Sequence, residues 1–282
     1  HDLGAARDAC RTAARTGPLG LVPTMGSLHR GHLSLVHAAR QRDEQVAVSI
    51  FVNPLQFGAD EDLQAYPRDE ARDLALLEEA GVDLALVLRA DEMYPPGFAT
   101  TISQDDGLDR LEGAERPGHF DGVLTVVAKL FLLSGAQRAY FGQKDLQQTV
   151  VVRRMIRDLD MPVELVVCPI TRDEDGLALS SRNVYLDDAG RARGLSLVRA
   201  LRRCEAAFAA GDTDVASLER TLQTTLAEGL GREPDYARVL DPADLSARAT
   251  ARAGDAVVVA GRVGRTRLLD NHFLGEPLPD TP

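Results

Sequence analysis

Few cysteines, a shortage of cations and no long apolar run mark this sequence, and each shortage removes a class of function. Cys10, Cys168 and Cys204 are odd in number, far apart and in no C-x-x-C pair, so neither a disulfide framework nor a zinc site is indicated. No apolar stretch approaches the ~20 residues of a membrane helix, and the charged, helix-forming N-terminus is unlike a signal peptide. A membrane is therefore not an expected partner, and the cytoplasm is the expected compartment. Lysine and arginine number 32 against 43 aspartates and glutamates, a formal charge of −11. Nonspecific nucleic-acid binding depends on neutralising phosphates with cations, so no nucleic-acid partner is expected. An anionic ligand would have to be held locally, by histidines and a few well-placed cations. There is no internal repeat and no low-complexity tract. What remains is 282 residues, 44% hydrophobic, enough for one large or two moderate domains with a real core. The chain opens at His1 without a methionine, leaving room for a preceding strand.

The most distinctive stretch is Pro23-Thr24-Met25-Gly26-Ser27-Leu28-His29-Arg30-Gly31-His32. Leu19-Gly20-Leu21-Val22 before it reads as a buried parallel strand. Leu33, Val36 and Arg40 after it fall at helical spacing, so a helix is expected to start between Ser27 and Gly31. A strand feeding a loop and a helix start presents unpaired N–H groups and the positive end of a dipole, which suits a phosphate. His29 and His32, three apart, would add donors from one side of the first turn, and Gly26 and Gly31 would let a ligand approach the backbone. By itself the pair is equally well an ordinary surface or core contact. Half a metal site would need further ligands, and neither a His/Cys cluster nor H-E-x-x-H is present.

The rest of the chain alternates. A helix over 2–15 ends near Gly17-Pro18, a strand over 45–52 stops at Asn53-Pro54, a helix runs from Tyr66-Pro67-Arg68 to about Ala80, and a strand covers 82–88. A helix over 123–133 and strands over 138–141 and 163–167 complete an α/β pattern, a parallel sheet with helices on both faces. Asn53 and Gln56 lie just past a strand end, where open α/β sheets place ligands, although turn-making is the plainer role for an asparagine before proline. Arg116 and His119 precede a helix and could meet an anion or simply form a solvated loop. Lys144 is a candidate charge for a polyphosphate and Asp145 a candidate acceptor for a ribose hydroxyl, though a K-D pair is commonplace. Ser180, Ser181 and Arg182 could donate to phosphate oxygens from a closing lid, and an interdomain linker accounts for the same stretch. From Asp187 the chain turns Ala-, Arg- and Leu-rich, with helices over 187–210 and 214–229 and short strands over 235–240, 255–261 and 266–271. The expected division is a domain of residues 1–172 and a smaller α+β domain of residues 173–282.

Taken together, P-T-M-G-S-L-H-R-G-H, F-V-N-P-L-Q-F-G, R-P-G-H-F-D-G-V-L-T-V-V, Y-F-G-Q-K-D-L-Q-Q and L-S-S-R-N closely resemble the pantothenate synthetase family, the AMP-forming pantoate–β-alanine ligases. The match is strongest from about residue 17 to 190. The resemblance implies a Rossmann-like nucleotidyltransferase domain with a small C-terminal domain closing over ATP, and a homodimer. It implies ATP binding by Met25, Gly26, Ser27, Leu28, His29, Arg30, Gly31 and His32, with both histidines on the phosphates. Gly142, Gln143, Lys144, Asp145, Thr171, Leu179, Ser180, Ser181 and Arg182 would complete the nucleotide contacts. His29, His32, Lys144 and Arg182 would carry the chemistry. Gln56 and Gln148 would hold pantoate, with Asn53 beside them, and β-alanine would be the amine. Asp73 matches an acid associated with magnesium, but Arg72 stands where the family is often acidic. Gln143, Leu146 and Leu179 replace a usual glutamate, a usual aromatic and a usual methionine. Two other classes share these features in part: a nucleotidylyltransferase acting on a phosphate, and a noncatalytic nucleotide sensor on the same fold.

Overall fold

The computed structural model describes residues 2–58 and 63–278. Strands β1 (Leu19–Thr24), β2 (Gln45–Ile50), β3 (Leu84–Val87), β4 (Arg138–Gly142) and β5 (Glu164–Cys168) form a parallel sheet in the order β3-β2-β1-β4-β5. The helices are α1 (Leu3–Thr16), α2 (Arg30–Arg40), α3 (Glu70–Glu79), the single turns α4 (Ala90–Met93) and α5 (Glu112–Glu115), α6 (His119–Ser134) and α7 (Leu146–Asp158). Successive side chains of a strand point to opposite faces, which sorts the core into two layers. Leu19, Leu21 and Ala47 pack on one face with Cys10 of α1 and Leu124, Val127 and Phe131 of α6. Val22, Val46 and Val48 pack on the other with Leu35, Val36 and Ala39 of α2 and Leu77 of α3. The continuous apolar runs of β1 and β2 are what a strand buried on both faces requires. Chain order runs β1, β2, β3 to one side and resumes with β4 on the other side of β1. The strand order therefore reverses at the C-terminal end of β1, the position at which doubly wound sheets bind ligands.

At the opposite end of these strands, Asp43 is buried and accepts from Arg138 and, at 2.5 Å, from the Tyr140 hydroxyl. Burial first, and then the Asp43 contact, raise the Tyr140 pKa. This end of the sheet is fastened by charge, away from the loops that follow the strands.

A second compact unit comprises residues 143–150 and those from 170 onward, while 151–169 belong to the first. Its helices are α8 (Asp188–Gly194), α9 (Ser196–Ala209) and α10 (Val215–Leu230), and β6 (Tyr236–Leu240), β7 (Ala256–Val263) and β8 (Thr266–Phe273) form an antiparallel sheet in that order. Leu201, Cys204, Leu218, Leu222 and Leu226 of α9 and α10 cover Val257 and Val259 of β7. The helix expected over 187–210 is two helices, because the glycine at 194 is a poor helix former and packs its backbone against Leu268. His272 of β8 is buried with Nε2 3.2 Å from Glu205 of α9. Burial outweighs the carboxylate and lowers the His272 pKa below its ordinary 6.5. The unfolded chain thus takes up a proton that the folded chain resists, so stability is expected to fall as pH drops below 6.5. His272→Gln should flatten that part of a plot of Tm against pH over about pH 5 to 8. An unchanged slope in the variant would place the titration elsewhere.

Candidate functional site

The loop after β1 is built by specific bonds rather than by flexibility. Thr24 Oγ1 donates to Ser49 O at 2.6 Å and accepts from Gly26 N at 3.2 Å. Gly26 and Ser27 follow in the left-handed region, with φ of +82° and +52°. Asp73 of α3, only 1% exposed, accepts the N–H of Ser27 on Oδ2 and that of Leu28 on Oδ1, both at 2.7 Å. Those two N–H groups therefore point into the protein rather than toward a phosphate, and the Leu28 side chain is core.

His29 is the N-cap of α2 and His32 its third residue, so the helix starts within the expected range. Gly31 N donates to His29 Nδ1 at 3.1 Å, and His29 N donates to His32 Nδ1 at 3.3 Å. Each Nδ1 is an acceptor, so the hydrogen-bond network assigns the proton of each neutral ring to Nε2. The ring centroids are 4.1 Å apart. Two imidazole N–H donors thus stand side by side at a helix N-terminus, where the dipole already favours an anion.

Gln56 is the second group the fold holds firmly. Its Oε1 accepts from Asn53 Nδ2 at 3.0 Å, and its Nε2 lies 3.2 Å from the Met25 sulfur. Asn53, expected as a ligand contact, is 1% exposed. It also donates to Gly122 O at 3.1 Å and accepts from Leu55 N at 3.3 Å and the Tyr94 hydroxyl at 2.7 Å. With its amide fully engaged, Asn53 orients Gln56 instead of reaching a substrate. Arg116 and His119 do not present an open anion site either. His119 Nδ1 lies 2.8 Å and Arg116 Nη2 3.2 Å from Gln56 O, and Arg116 Nη1 lies 3.1 Å from His119 Nε2. An arginine can only donate, so His119 Nε2 accepts and Nδ1–H donates to the carbonyl. Gly122 of α6 lets that helix lie on the 54–56 turn, since a Cβ there would sit 2.2 Å from Leu55 O.

In the second unit, Asn271 Nδ2 donates to the carbonyls of Gln143 and Lys144, each at 2.9 Å, and its Oδ1 accepts from Gln143 Nε2 at 3.1 Å. This fixes the turn that carries Lys144, whose Nζ is 3.5 Å from Asp145 Oδ1. Gly142 ends β4 in the first unit, and Gln148 is half-buried on α7. Thr171 O accepts from Leu179 N at 3.0 Å, closing a loop whose Arg172 is bidentate to the buried Asp270 at 2.6 and 2.9 Å. Asp173 and Asp175 both pair with Arg191, each at 2.6 Å, so the acidic turn is held by one shared cation. Ser180 Oγ caps the Ser181–Tyr185 turn by accepting from Arg182 N at 3.3 Å.

Asp73 does not fit its expected role as a magnesium ligand. Both of its oxygens serve backbone N–H groups, and Arg72 adds a cation beside it. Among the described residues no group of three or more His, Cys, Asp or Glu side chains is placed to hold a metal ion. The loop with Tyr94-Pro95-Pro96-Gly97 is expected from sequence at the ligand edge, but nothing local marks Tyr94 or Asn271 as organisers of neighbouring loops.

A doubly wound sheet with paired histidines at a helix start beside the strand reversal belongs to the class of α/β proteins that bind an anionic ligand at the carboxyl ends of their strands. The sequence matches the pantoate-beta-alanine ligase family over residues 1–273, and the chain belongs to that family. It is 54% identical to the pantothenate synthetase of Roseiflexus sp. strain RS-1 over 263 residues, 93% of this chain and 94% of that one. The crystal structure of pantothenate synthetase from Thermus thermophilus is similar at 49% identity and a TM-score of 0.92, covering 96% of this chain and 97% of that one. A pantoate–β-alanine ligase from Francisella tularensis, solved with βγ-ATP and β-alanine, is 30% identical with a TM-score of 0.80, covering 96% and 95%. The chain is a ligase that joins pantoate to β-alanine in pantothenate biosynthesis. No helix among the described residues is long and apolar enough to cross a membrane.

Proposed function

We propose that the ATP-dependent condensation proceeds through a pantoyl adenylate. A carboxylate does not condense with an amine at neutral pH, because the oxygen is a poor leaving group. In the first step a pantoate carboxylate oxygen bonds to the α-phosphorus of ATP in line with the breaking Pα–O bond, and pyrophosphate leaves. In the second the free amine of β-alanine attacks the acyl carbon, AMP departs, and the amine proton is lost as the amide forms. No protein nucleophile is required, so the work of the chain is positioning and stabilising charge. The observation that carries this reading is the adjacent pair His29 and His32, ring centroids 4.1 Å apart at the N-terminus of α2.

Residue by residue, His29 and His32 stabilise the departing pyrophosphate, with Arg30 and the backbone of Met25, Gly26, Ser27, Leu28 and Gly31 forming their loop. Lys144 and Arg182 supply cations to the phosphates, and Ser180 and Ser181 supply hydroxyls. Gly142, Gln143, Asp145, Thr171 and Leu179 contact the nucleotide. Gln56 and Gln148 bind the hydroxyls of pantoate, since amides donate and accept without adding charge. We assign magnesium to the nucleotide phosphates rather than to Asp73. The family resemblance supports a homodimer.

Labelled pyrophosphate should exchange into ATP only when pantoate is present, and AMP should be released only when β-alanine follows. Exchange without pantoate would reject the acyl-adenylate order. Gln148→Ala is expected to raise the pantoate KM about tenfold or more, the loss of roughly one good hydrogen bond. Steady-state kinetics with an unchanged pantoate KM would remove Gln148 from that role.

A further inference from the structure

Arg72 and Asp73 hold Leu28 by both polar groups of its backbone. Asp73 Oδ1 accepts the Leu28 N–H at 2.7 Å, and Arg72 Nη1 donates to Leu28 O at 3.1 Å, while Asp73 Oδ2 takes the Ser27 N–H at 2.7 Å. We propose that this pair is a metal-free clamp that sets the loop for ATP, making Arg72 and Asp73 positioning residues for adenylation. The inference rests on the reading that the loop after β1 receives the nucleotide.

Three features carry it. Ser27 is held at φ +52°, a region that side chains other than glycine avoid, and only a surrounding network keeps a residue there. Asp73 is 1% exposed, and a carboxylate that deep needs donors on both oxygens, which the loop supplies. Gly26 lies directly against the clamp: a Cβ on it would be 3.0 Å from Asp73 Oδ2 and 3.1 Å from Ile50 Cγ2. The next residue after Leu28 is His29, whose N–H donates to His32 Nδ1 and whose ring centroid lies 4.1 Å from that of His32. A swing of the 27–28 peptide therefore carries both imidazoles with it. Arg72 puts a cation on the Leu28 carbonyl beside Asp73, where a metal would call for a second carboxylate.

Hydrogen exchange of the full-length protein, read by mass spectrometry with neither ATP nor magnesium added, tests the clamp directly. The Ser27 and Leu28 amides should be protected in the wild type and exchange at least about tenfold faster in Asp73→Asn. The exposed Arg72 permits a second variant with little risk to folding: Arg72→Ala should loosen the same peptide, and Arg72→Lys should restore part of the protection. Both Asp73→Asn and Arg72→Ala should raise the ATP KM about tenfold, leave the β-alanine KM in place, and not respond to excess magnesium. Protection that appears only with magnesium, or rescue of Asp73→Asn by magnesium, would make Asp73 a metal ligand and overturn the clamp. Unchanged exchange in both variants would overturn it as well, as would faster exchange with unaltered ATP kinetics. The underlying reading fails separately if saturating ATP leaves exchange of residues 25–32 unaltered in the wild type.

Discussion

Replacing His32 by alanine is expected to slow pantoyl-adenylate formation by about 10²-fold or more, the usual loss when one preorganised donor to a developing negative charge is removed. Two effects combine. The Nε2–H donor disappears, and so does the Nδ1 acceptor that takes the His29 N–H, which also loosens the neighbouring ring. Loss of an N-terminal cap costs on the order of 1 kcal/mol, so α2, anchored by Leu35, Val36 and Ala39, should persist. Single-turnover release of pyrophosphate isolates the step from product release. A variant that forms the adenylate at near wild-type rate would remove His32 from the chemistry.

Gly122→Ala should have the second large effect, on substrate binding and stability together. The added methyl group would run into the Leu55–Gln56 peptide, Leu55 O at 2.2 Å and Gln56 N at 2.6 Å. Backbone cannot rotate away as a side chain can, so α6 or the 54–56 turn must move. Overpacking of this kind costs about 1–3 kcal/mol, and in a chain of this size each kcal/mol lowers Tm by roughly 2–4 °C. The turn carries Gln56, whose carbonyl is held by Arg116 and His119, so the pantoate KM should rise about tenfold while the ATP KM stays close to wild type. A melting curve and a pantoate titration check both parts, and normal values in each would show that the turn tolerates the displacement.

The sheet was readable because β1 and β2 are continuous apolar runs, and α2 because Leu33, Val36 and Arg40 fall at helical spacing behind a distinctive loop, although the face it buries is that of Leu35, Val36 and Ala39. The parallel α/β sheet followed from the alternation of those elements, and the Rossmann-like class from the family resemblance. The work of individual polar residues was less readable. Asp73 lies 46 residues from Ser27 in sequence, and nothing local reveals that its carboxylate points at a backbone amide. Arg116 and His119 look like anion contacts when viewed as a loop, but α6 turns them onto the Gln56 carbonyl. Asn53 shows the same limit: its side chain suits a ligand, and only the positions of Tyr94 and Gly122 reveal that its hydrogen-bonding capacity is spent. Residue type and spacing report what a side chain can do, whereas the partner that takes up that capacity is set by tertiary packing.

The first turn of α7 is grouped with the C-terminal unit and the remainder with the N-terminal one, so the chain passes between units after residues 142, 150 and 169. A fragment beginning at Ile170 would lack the Gln143 and Lys144 carbonyls that satisfy the Asn271 amide. Interleaving of this kind ties inheritance to architecture. A single crossover after residue 169 would deliver a C-terminal unit missing the strip that carries Lys144, and one after residue 142 would deprive the N-terminal unit of residues 151–169, so the two units are expected to descend together rather than be exchanged as separate modules.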